Sequence, residues 1–216
     1  MRSQLPRTAA GAYVVDVVVH LVAQLSGADD LARWTQWVAI PLLAFAVLAA
    51  RPPMTRLITL TLVALFFSWL GDFLPHFFDD DTSFLVLVGC FMLAQIAYIA
   101  AFLPHWRESY LRSLLVLPYV VLIGLLIYLC APKAGSLLVP VLLYGLALGS
   151  MAVLASGVHL LTAAGGALFL ISDGLIAIGA FRPDIDIPAS GFWVMSTYLI
   201  GQGLIAMGVL RQANPR

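Results

Sequence analysis

Charged residues are scarce in this chain: Asp, Glu, Lys and Arg together make up 10% of its 216 residues. A soluble domain is about 25% charged, so the composition excludes an ordinary water-soluble surface. The formal net charge is zero, without the basic excess typical of nucleic-acid-binding proteins, and we expect no nucleic acid partner. Hydrophobic residues make up 62% of the chain and the mean hydropathy is +1.01, which indicates a polytopic membrane protein.

Cysteine is also scarce, and the motifs of several hydrolase classes are missing. The two cysteines, Cys90 and Cys130, lie in apolar runs, so we expect buried thiols rather than a disulfide or a metal site. The sequence contains no G-x-S-x-G, H-E-x-x-H or C-x-x-C motif. These absences give no support for an elbow serine or a motif-bound zinc ion, and we expect no cofactor.

Long apolar runs recur along the chain and are joined by short connections. A helical span needs about 20 mostly apolar residues. Eight segments qualify, at residues 9–26, 35–50, 57–75, 83–103, 112–131, 136–155, 158–181 and 190–210. Because open strands cannot cross lipid, we predict an all-α membrane protein, a single domain over residues 1–216 built as one bundle of eight transmembrane helices. The first run lacks an A-x-A exit site, so we expect it to be retained rather than cleaved.

Basic residues are distributed unequally between the two sides of the predicted bundle. One side carries Arg2, Arg7, Arg51, Arg56, Arg107, Arg112, Arg211 and Arg216. The other side carries only Arg33, Lys133 and Arg182. The positive-inside rule therefore predicts that both termini are cytoplasmic. The Ala- and Arg-rich composition is typical of bacteria, so we expect a multi-pass protein of the bacterial inner membrane, surrounded by membrane lipids.

Two aspartates, Asp72 and Asp173, lie inside predicted spans three and seven. A charged side chain at the bilayer centre costs roughly 3 kcal/mol on insertion scales. Both spans run outward from the cytoplasm in the predicted topology, so the two carboxyls should lie at similar depth in the outer half of the bilayer. No lysine or arginine lies at that depth to neutralise them, which indicates a functional role.

Other polar side chains fall between the midplane and the outer third of the predicted spans. They are Ser68, His76, Gln95, Tyr98, Tyr144, Ser172, Tyr198 and Gln202. Ser68, Asp72 and His76 are four residues apart and should share one helix face. Together these residues predict a pocket that opens toward the outer leaflet. Each also has a structural interpretation: packed tyrosines, interhelical glutamine bonds and serines bonded to their own helix backbone.

Asp16 and His20 form another i,i+4 pair, near the middle of span one. We consider two interpretations: a self-contained structural pair, or a zinc site completed by Asp72 and His76 if spans one and three meet. In span seven, Gly165, Gly166 and Ala167 have the spacing of helix packing rather than of a phosphate loop, and should allow close helix approach.

The two aspartates also sit in similar sequence contexts. Asp72 is followed one span later by Gln95, and Asp173 is followed one span later by Gln202. A parallel repeat of four spans would produce this pattern, and repeats often place a site at their interface in transporters. Chance similarity between apolar helices is the alternative explanation.

Three stretches resemble the lysoplasmalogenase family of YhhN-like membrane proteins: the Gly71-Asp72 pair, the GALFLISDGLIAI segment at 166–178, and the Y-x-x-x-Q of Tyr198 and Gln202. The resemblance covers nearly the whole chain. It implies hydrolysis of the vinyl-ether bond of a lysophospholipid within the bilayer, a lysoplasmalogen. The products would be a fatty aldehyde and a glycerophospho-ethanolamine or -choline, with Asp72 and Asp173 as the matching catalytic residues.

The chain departs from the family pattern in span two. Members usually carry Lys-Pro there, whereas Pro41 in this chain follows Ile40. If that lysine contacts the substrate phosphate, the head-group preference of this chain is left open by the sequence.

Vinyl-ether hydrolysis suits a pair of carboxyls. Protonation on carbon gives an oxocarbenium ion that water captures, so a catalyst needs a proton donor and a nearby anion. Two carboxyls can divide these roles because like charges at close range do not both ionise, and glycosidases treat a related cation in the same way. The candidate substrate-binding residues, which could orient water or the glycerol backbone, are Gln95, Tyr144, Ser172, Tyr198 and Gln202.

Three other classes of function fit parts of the sequence. A metal-dependent lipid hydrolase, similar in logic to alkaline ceramidases, would use the Asp16 and His20 set. A proton-coupled transporter would use paired intramembrane acids and an internal repeat. A purely structural membrane protein would partner the two acids with serine and glutamine. The sequence carries no information on oligomeric state.

Overall fold

The computed structural model describes residues 5–214, apart from the side chains of residues 80, 81 and 136, and consists of helices joined by short turns. The helices are α1 (Leu5–Ser26), α2 (Asp29–Ala49), α3 (Arg56–Phe73), α4 (Asp80–Phe102), α5 (Leu117–Cys130), α6 (Leu138–Ala155), α7 (Leu160–Phe181) and α8 (Ser190–Ala213). Eight segments are long and apolar enough to cross a membrane, and no strand occurs over the described range. The predicted all-α membrane protein with eight spanning helices is therefore confirmed. Arg2 and Arg216, used in the charge count, lie outside the described residues.

The largest differences between the predicted span starts and the observed helix starts are at α2 and α5. Helix α2 begins at Asp29 rather than at residue 35, because its first turn is acidic and complements the positive end of the helix dipole. Helix α5 begins at Leu117 rather than at residue 112, with Pro118 in its first turn. Proline fits this position because its missing N–H would have no partner inside the helix anyway. Hydropathy alone does not register either effect.

The chain divides into two compact units. The first unit runs to Ala101 and includes the chain from Val209 onward, and the second unit is Phe102–Gly208. The first unit therefore contains α1 to α4, and the second contains α5, α6, α7 and most of α8. Each unit holds one of the two intramembrane aspartates, on α3 or on α7. The division after α4 falls where the predicted four-span repeat would divide the chain, and the repeat itself stays a prediction.

An ion-pair cluster joins two loops of the second unit. Asp184, in the α7–α8 loop, accepts hydrogen bonds from the Arg182 guanidinium at 2.6 Å and from Lys133 Nζ at 2.7 Å. The Arg182 guanidinium, with help from Lys133, holds the pKa of the Asp184 carboxyl well below its usual range. Two of the three basic residues on the predicted outer side are thus engaged with the same carboxylate.

Glycine brings α7 and α8 into backbone contact. A Cβ atom placed on Gly165 would lie 2.5 Å from the carbonyl oxygen of Gly201 and 2.8 Å from the backbone nitrogen of Ile205. On Gly166, a Cβ would lie 3.1 Å from the Cβ of Ala155 on α6. The predicted role of Gly165 and Gly166 in close helix approach is confirmed, and α7 is packed tightly on both neighbours.

Replacing Gly165 by alanine should destabilise the second unit. The added methyl group would meet backbone atoms that move only if α8 moves, and overpacking of this kind costs about 1–3 kcal/mol. We expect a lower thermal unfolding midpoint in detergent for Gly165→Ala. Gly179→Ala, on the same helix, is the matched control because a Cβ there meets no atom within 4 Å. Equal midpoints for the two variants would contradict the packing described here.

Candidate active site

Asp173 lies on α7 and is held by a side chain from α6. The Tyr144 hydroxyl donates a hydrogen bond to Asp173 Oδ2, and the aspartate is 7% exposed. Helix α7 is capped at its start by His159, whose Nδ1 accepts from the backbone N–H of Leu161 at 3.0 Å. His159 carries no sequence signal that predicts this cap, because the usual capping residues are Ser, Thr, Asp and Asn. Because the tyrosine donates, the orientation of the Asp173 carboxyl is defined before any ligand binds.

Asp173 and Tyr144 line a small cavity whose other walls are mainly hydrocarbon. Its volume is about 60 Å³, or roughly two water volumes. Its lining residues are Ile123, Leu126, Ile127, Cys130, Val141, Tyr144, Gly145, Leu148, Leu170, Asp173, Gly174 and Ala177. Electrostatic interactions are stronger in such apolar surroundings than in water, so the Asp173 carboxyl would interact strongly with a charged or polar group of a ligand in this cavity.

Helix α5 forms one wall of this cavity, and its other side chains are largely exposed. Among its residues only Cys130 is buried, whereas Val121 is 67% exposed and Tyr128 is 77% exposed. In a membrane protein such apolar exposure faces lipid. The cavity is therefore one helix away from the acyl chains of the bilayer.

The remaining candidate residues of the second unit lie where α7 meets α8. Ser172 donates a hydrogen bond to the carbonyl oxygen of Val194 at 3.0 Å, so it bonds to α8 and not to its own helix. Tyr198 packs edge-on against Phe169, with ring centroids 5.4 Å apart. Gln202 is completely buried. These contacts fix the rotation of α8 relative to the helix that carries Asp173.

Asp72 lies in the last turn of α3 and belongs to a polar cluster of the first unit. Tyr13 on α1 is close enough for electrostatic interaction with Asp72, Asp16 and Tyr98. Tyr13, Asp72 and Tyr98 are all buried. Tyr13 was not among the predicted site residues, although its i,i+3 spacing from Asp16 places both side chains on one face of α1.

Gln95 is fully buried on α4, and neither atom of its amide has a hydrogen-bond partner among the described residues. The Oδ2 atom of Asp16 is also buried without a hydrogen-bond partner among the described residues. Each buried polar group without a partner costs about 1–3 kcal/mol, which is why such groups are rare and call for a specific explanation. Gln95 shares a face of α4 with Tyr98, and its amide suits a polar ligand group or a bound water.

His76 does not continue the buried face of Ser68 and Asp72. Helix α3 ends at Phe73, and His76 lies on a 3-10 turn, Leu74–Phe77, where it is exposed. Pro75 explains the break, because proline has no N–H to continue the i→i−4 hydrogen bonds of the helix and its ring clashes with the carbonyl of residue i−4. The prediction that all three side chains share one helix face is therefore wrong for His76.

His20 is completely buried and bonds to α2. Its Nδ1 lies 3.0 Å from the Ala32 carbonyl oxygen and 2.9 Å from the Thr35 hydroxyl. The self-contained pair of Asp16 and His20 is thus not what forms. Among the side chains that the structure describes, no group of three or more from His, Cys, Asp or Glu is arranged to hold a metal ion, so the zinc ligand set considered above is not assembled. Cys90 and Cys130 are both free thiols, but only Cys130 is buried, so the expectation of two buried thiols is wrong for Cys90, which is half-buried.

A family model described as the YhhN family matches residues 31–209. The matched range includes both aspartates and most of α2 through α8. No curated protein and no solved structure matches the chain.

Removing the Tyr144 hydroxyl should destabilise the second unit. Tyr144→Phe would take away the hydrogen bond donated to a buried carboxyl, and an unsatisfied buried acceptor costs about 1–3 kcal/mol. We expect a lower thermal unfolding midpoint in detergent. Tyr128→Phe is the matched control because Tyr128 is on α5 and 77% exposed. If Tyr144→Phe unfolds at the midpoint of the wild type, the bond contributes nothing and the description of the pair is wrong.

Proposed function

The chain belongs to the YhhN family, and we propose that it is an intramembrane hydrolase that cleaves the vinyl-ether bond of lysoplasmalogen-type lipids. The products are a fatty aldehyde and a glycerophospho head group. The observation that carries this proposal is the Asp173–Tyr144 pair, a buried carboxyl oriented by a hydroxyl in a cavity of hydrocarbon. Such a pair is rare in membrane-spanning helices that only anchor a protein, because burial of a carboxyl is costly.

The reaction requires a proton and a water molecule. A proton is added to the outer vinyl carbon, which leaves an oxocarbenium ion at the ether carbon and oxygen. Water adds to that carbon and loses a proton, and the resulting hemiacetal breaks into aldehyde and alcohol. We assign the two proton transfers to Asp72 and Asp173, acting as an acid/base pair in the manner of glycosidase carboxyls.

The surroundings of the two aspartates suggest how the roles divide. Asp173 shares its cavity mainly with hydrocarbon, which suits a carboxyl that carries the proton to carbon. Asp72 lies in a polar cluster with Tyr13, which suits a carboxylate that steadies the cation and activates water. Glycosidase carboxyls are divided by environment in the same way.

The alkenyl chain would enter beside α5. That helix exposes apolar side chains and forms a wall of the Asp173 cavity, so a chain lying in the bilayer reaches the carboxyl without crossing water. Gln95, Ser172, Tyr198 and Gln202 remain our proposed contacts for water and the glycerol backbone. Of these, Gln95 has the clearest need for a polar partner.

Neutralising either aspartate should stop turnover without unfolding the protein. General acid or base catalysis contributes about 10²–10⁴-fold, so we expect Asp72→Asn and Asp173→Asn each to lower aldehyde release from a lysoplasmalogen by at least that range. Gel filtration and thermal unfolding should remain close to the wild type. Asp186→Asn, in the exposed α7–α8 loop, is the matched control and should keep full activity.

Two results would contradict the proposal. Activity retained in either intramembrane variant would remove that carboxyl from the mechanism. Uptake of a labelled solute into proteoliposomes, without any product formed, would favour a proton-coupled transporter instead.

Filling the Asp173 cavity should exclude the chain while leaving the carboxyl in place. Ala177 lines the cavity, and Ala180 is exposed on the same helix. We expect Ala177→Leu to raise KM for a long-chain lysoplasmalogen about tenfold and Ala180→Leu to leave it unchanged. Steady-state kinetics of aldehyde release checks this, and equal KM values for both variants would place the chain elsewhere.

A further inference from the structure

A second, polar cleft lies in the first unit, between the end of α1, the start of α2 and the turn that follows α3. It is lined by Gln24, Asp29, Ala32, Arg33, Gln36 and His76. Its volume is about 350 Å³, which equals on the order of ten water volumes. The cleft is much larger than the Asp173 cavity, and polar and charged side chains dominate its walls.

The cleft presents both signs of charge. Asp29 and Arg33 are one turn apart on α2, so their side chains share one face. The Arg33 ion pair is with Asp30 at 3.4 Å, and both side chains are largely exposed; such a pair contributes little. By contrast, Lys133 and Arg182 bind Asp184 at 2.7 and 2.6 Å. Among the three basic residues of the predicted outer side, Arg33 has the longest ion pair and five N–H donors suited to phosphate oxygens.

Hydrogen bonds orient the neutral polar residues of the cleft. His20 Nδ1 lies 3.0 Å from a carbonyl oxygen, so it donates there, and Nε2 is left to accept from the Gln24 amide at 3.2 Å. The Gln24 oxygen is then the free acceptor of that side chain. Likewise, Trp37 Nε1 donates to His76 Nδ1 at 3.4 Å, which leaves the proton on Nε2 as a donor. The cleft therefore offers donors from Arg33 and His76 and acceptors from Asp29 and Gln24.

Aromatic rings around the cleft indicate its level in the membrane. Trp37 packs against Trp34, Phe73 and His76 with ring centroids 5.0 to 5.4 Å apart. The indole N–H of Trp69 donates to the Trp37 carbonyl oxygen at 3.0 Å. Tryptophan concentrates at the membrane–water interface, where lipid head groups lie. A ligand in this cleft thus has its charged part at head-group depth.

We infer that the cleft between α1, α2 and the Leu74–Phe77 turn binds the zwitterionic head group of a lysophospholipid. Arg33 and His76 receive the phosphate, and Asp29 receives the ammonium group. The inference rests on the proposed function for the identity of the lipid. His76 follows Asp72 by four residues, across the end of α3 and into the 3-10 turn; at a rise of roughly 1.5–2.0 Å per residue, the two backbones are about 6–8 Å apart. The three glycerol carbons between phosphate and vinyl-ether oxygen can span this short separation, so a head group in the cleft places the ether near Asp72.

The test uses a ligand that cannot be hydrolysed, so that it does not depend on turnover. The probe is 1-O-alkyl-glycero-3-phosphoethanolamine, whose saturated ether replaces the vinyl ether. Its binding to the full chain in nanodiscs is measured by calorimetry beside two analogues: the corresponding alkylglycerol, which lacks phosphate, and the alkyl lysophosphatidic acid, which lacks ammonium.

We expect the wild type to bind the phosphoethanolamine lipid at least tenfold more tightly than the alkylglycerol. Arg33→Gln should weaken both phosphate-containing lipids about tenfold. Asp29→Asn should weaken the phosphoethanolamine lipid alone. Arg56→Gln is the matched control, because Arg56 is an exposed arginine at the opposite end of α3, and it should bind as the wild type does.

Three outcomes would overturn the inference: wild-type affinity in Arg33→Gln, equal affinity for the alkylglycerol, or free glycerophosphoethanolamine binding as tightly as the lipid. The last would mean that the site takes a soluble head group. The failures are separable. Arg33-dependent binding without aldehyde release would overturn the proposed function alone. Aldehyde release without Arg33-dependent binding would overturn only the assignment of the cleft as the head-group site.

Discussion

A carboxyl group buried among apolar helices needs an oriented donor beside it, and in the second unit this need determines much of the packing. Tyr144 on α6 supplies the donor for Asp173 on α7. The bond requires a fixed rotation of α6 and α7 about their own axes, and the close contact of Gly166 with Ala155 keeps the two helices together. On the other side of α7, Gly165 and the bond from Ser172 to Val194 hold α8. Helix α5, with little of its own surface buried, closes the cavity on the lipid side.

The first unit surrounds its buried carboxyl with polar side chains rather than with hydrocarbon. Asp72 lies near Tyr13 on α1, and the buried Gln95 amide shares its helix face with Tyr98 on α4. At the adjoining end of this unit, His20 and Trp37 orient the polar lining of the cleft. The two units thus supply different environments: hydrocarbon around Asp173 in one unit, and buried hydroxyls together with a polar cleft in the unit that holds Asp72. The proposed hydrolysis uses both kinds, because the reaction passes from an apolar alkene to a cation that water must reach.

Much of this arrangement was predictable from sequence, and the failures have physical causes. Apolar run length determines membrane-spanning helices, so all eight helices and the intramembrane positions of Asp72 and Asp173 followed directly. The starts of α2 and α5 depend on acidic first turns and proline, which hydropathy ignores. Side-chain pairing depends on helix rotation: the spacing of Asp16 and His20 suggested a pair, but His20 faces α2 and bonds to Thr35. Tyr144 was predicted as a site residue. That its hydroxyl bonds to Asp173 could not be predicted, because this depends on how α6 packs against α7.

The proposed chemistry is tested most directly by the fate of a solvent proton. Hydrolysis begun by protonation on carbon places one solvent hydrogen on carbon 2 of the released aldehyde. When the purified protein turns over a lysoplasmalogen in D₂O, mass spectrometry of the immediately trapped aldehyde should find a single deuterium at that carbon. An aldehyde without carbon-bound deuterium, or products that retain the vinyl ether, would contradict catalysis by buried carboxyls acting on a vinyl ether.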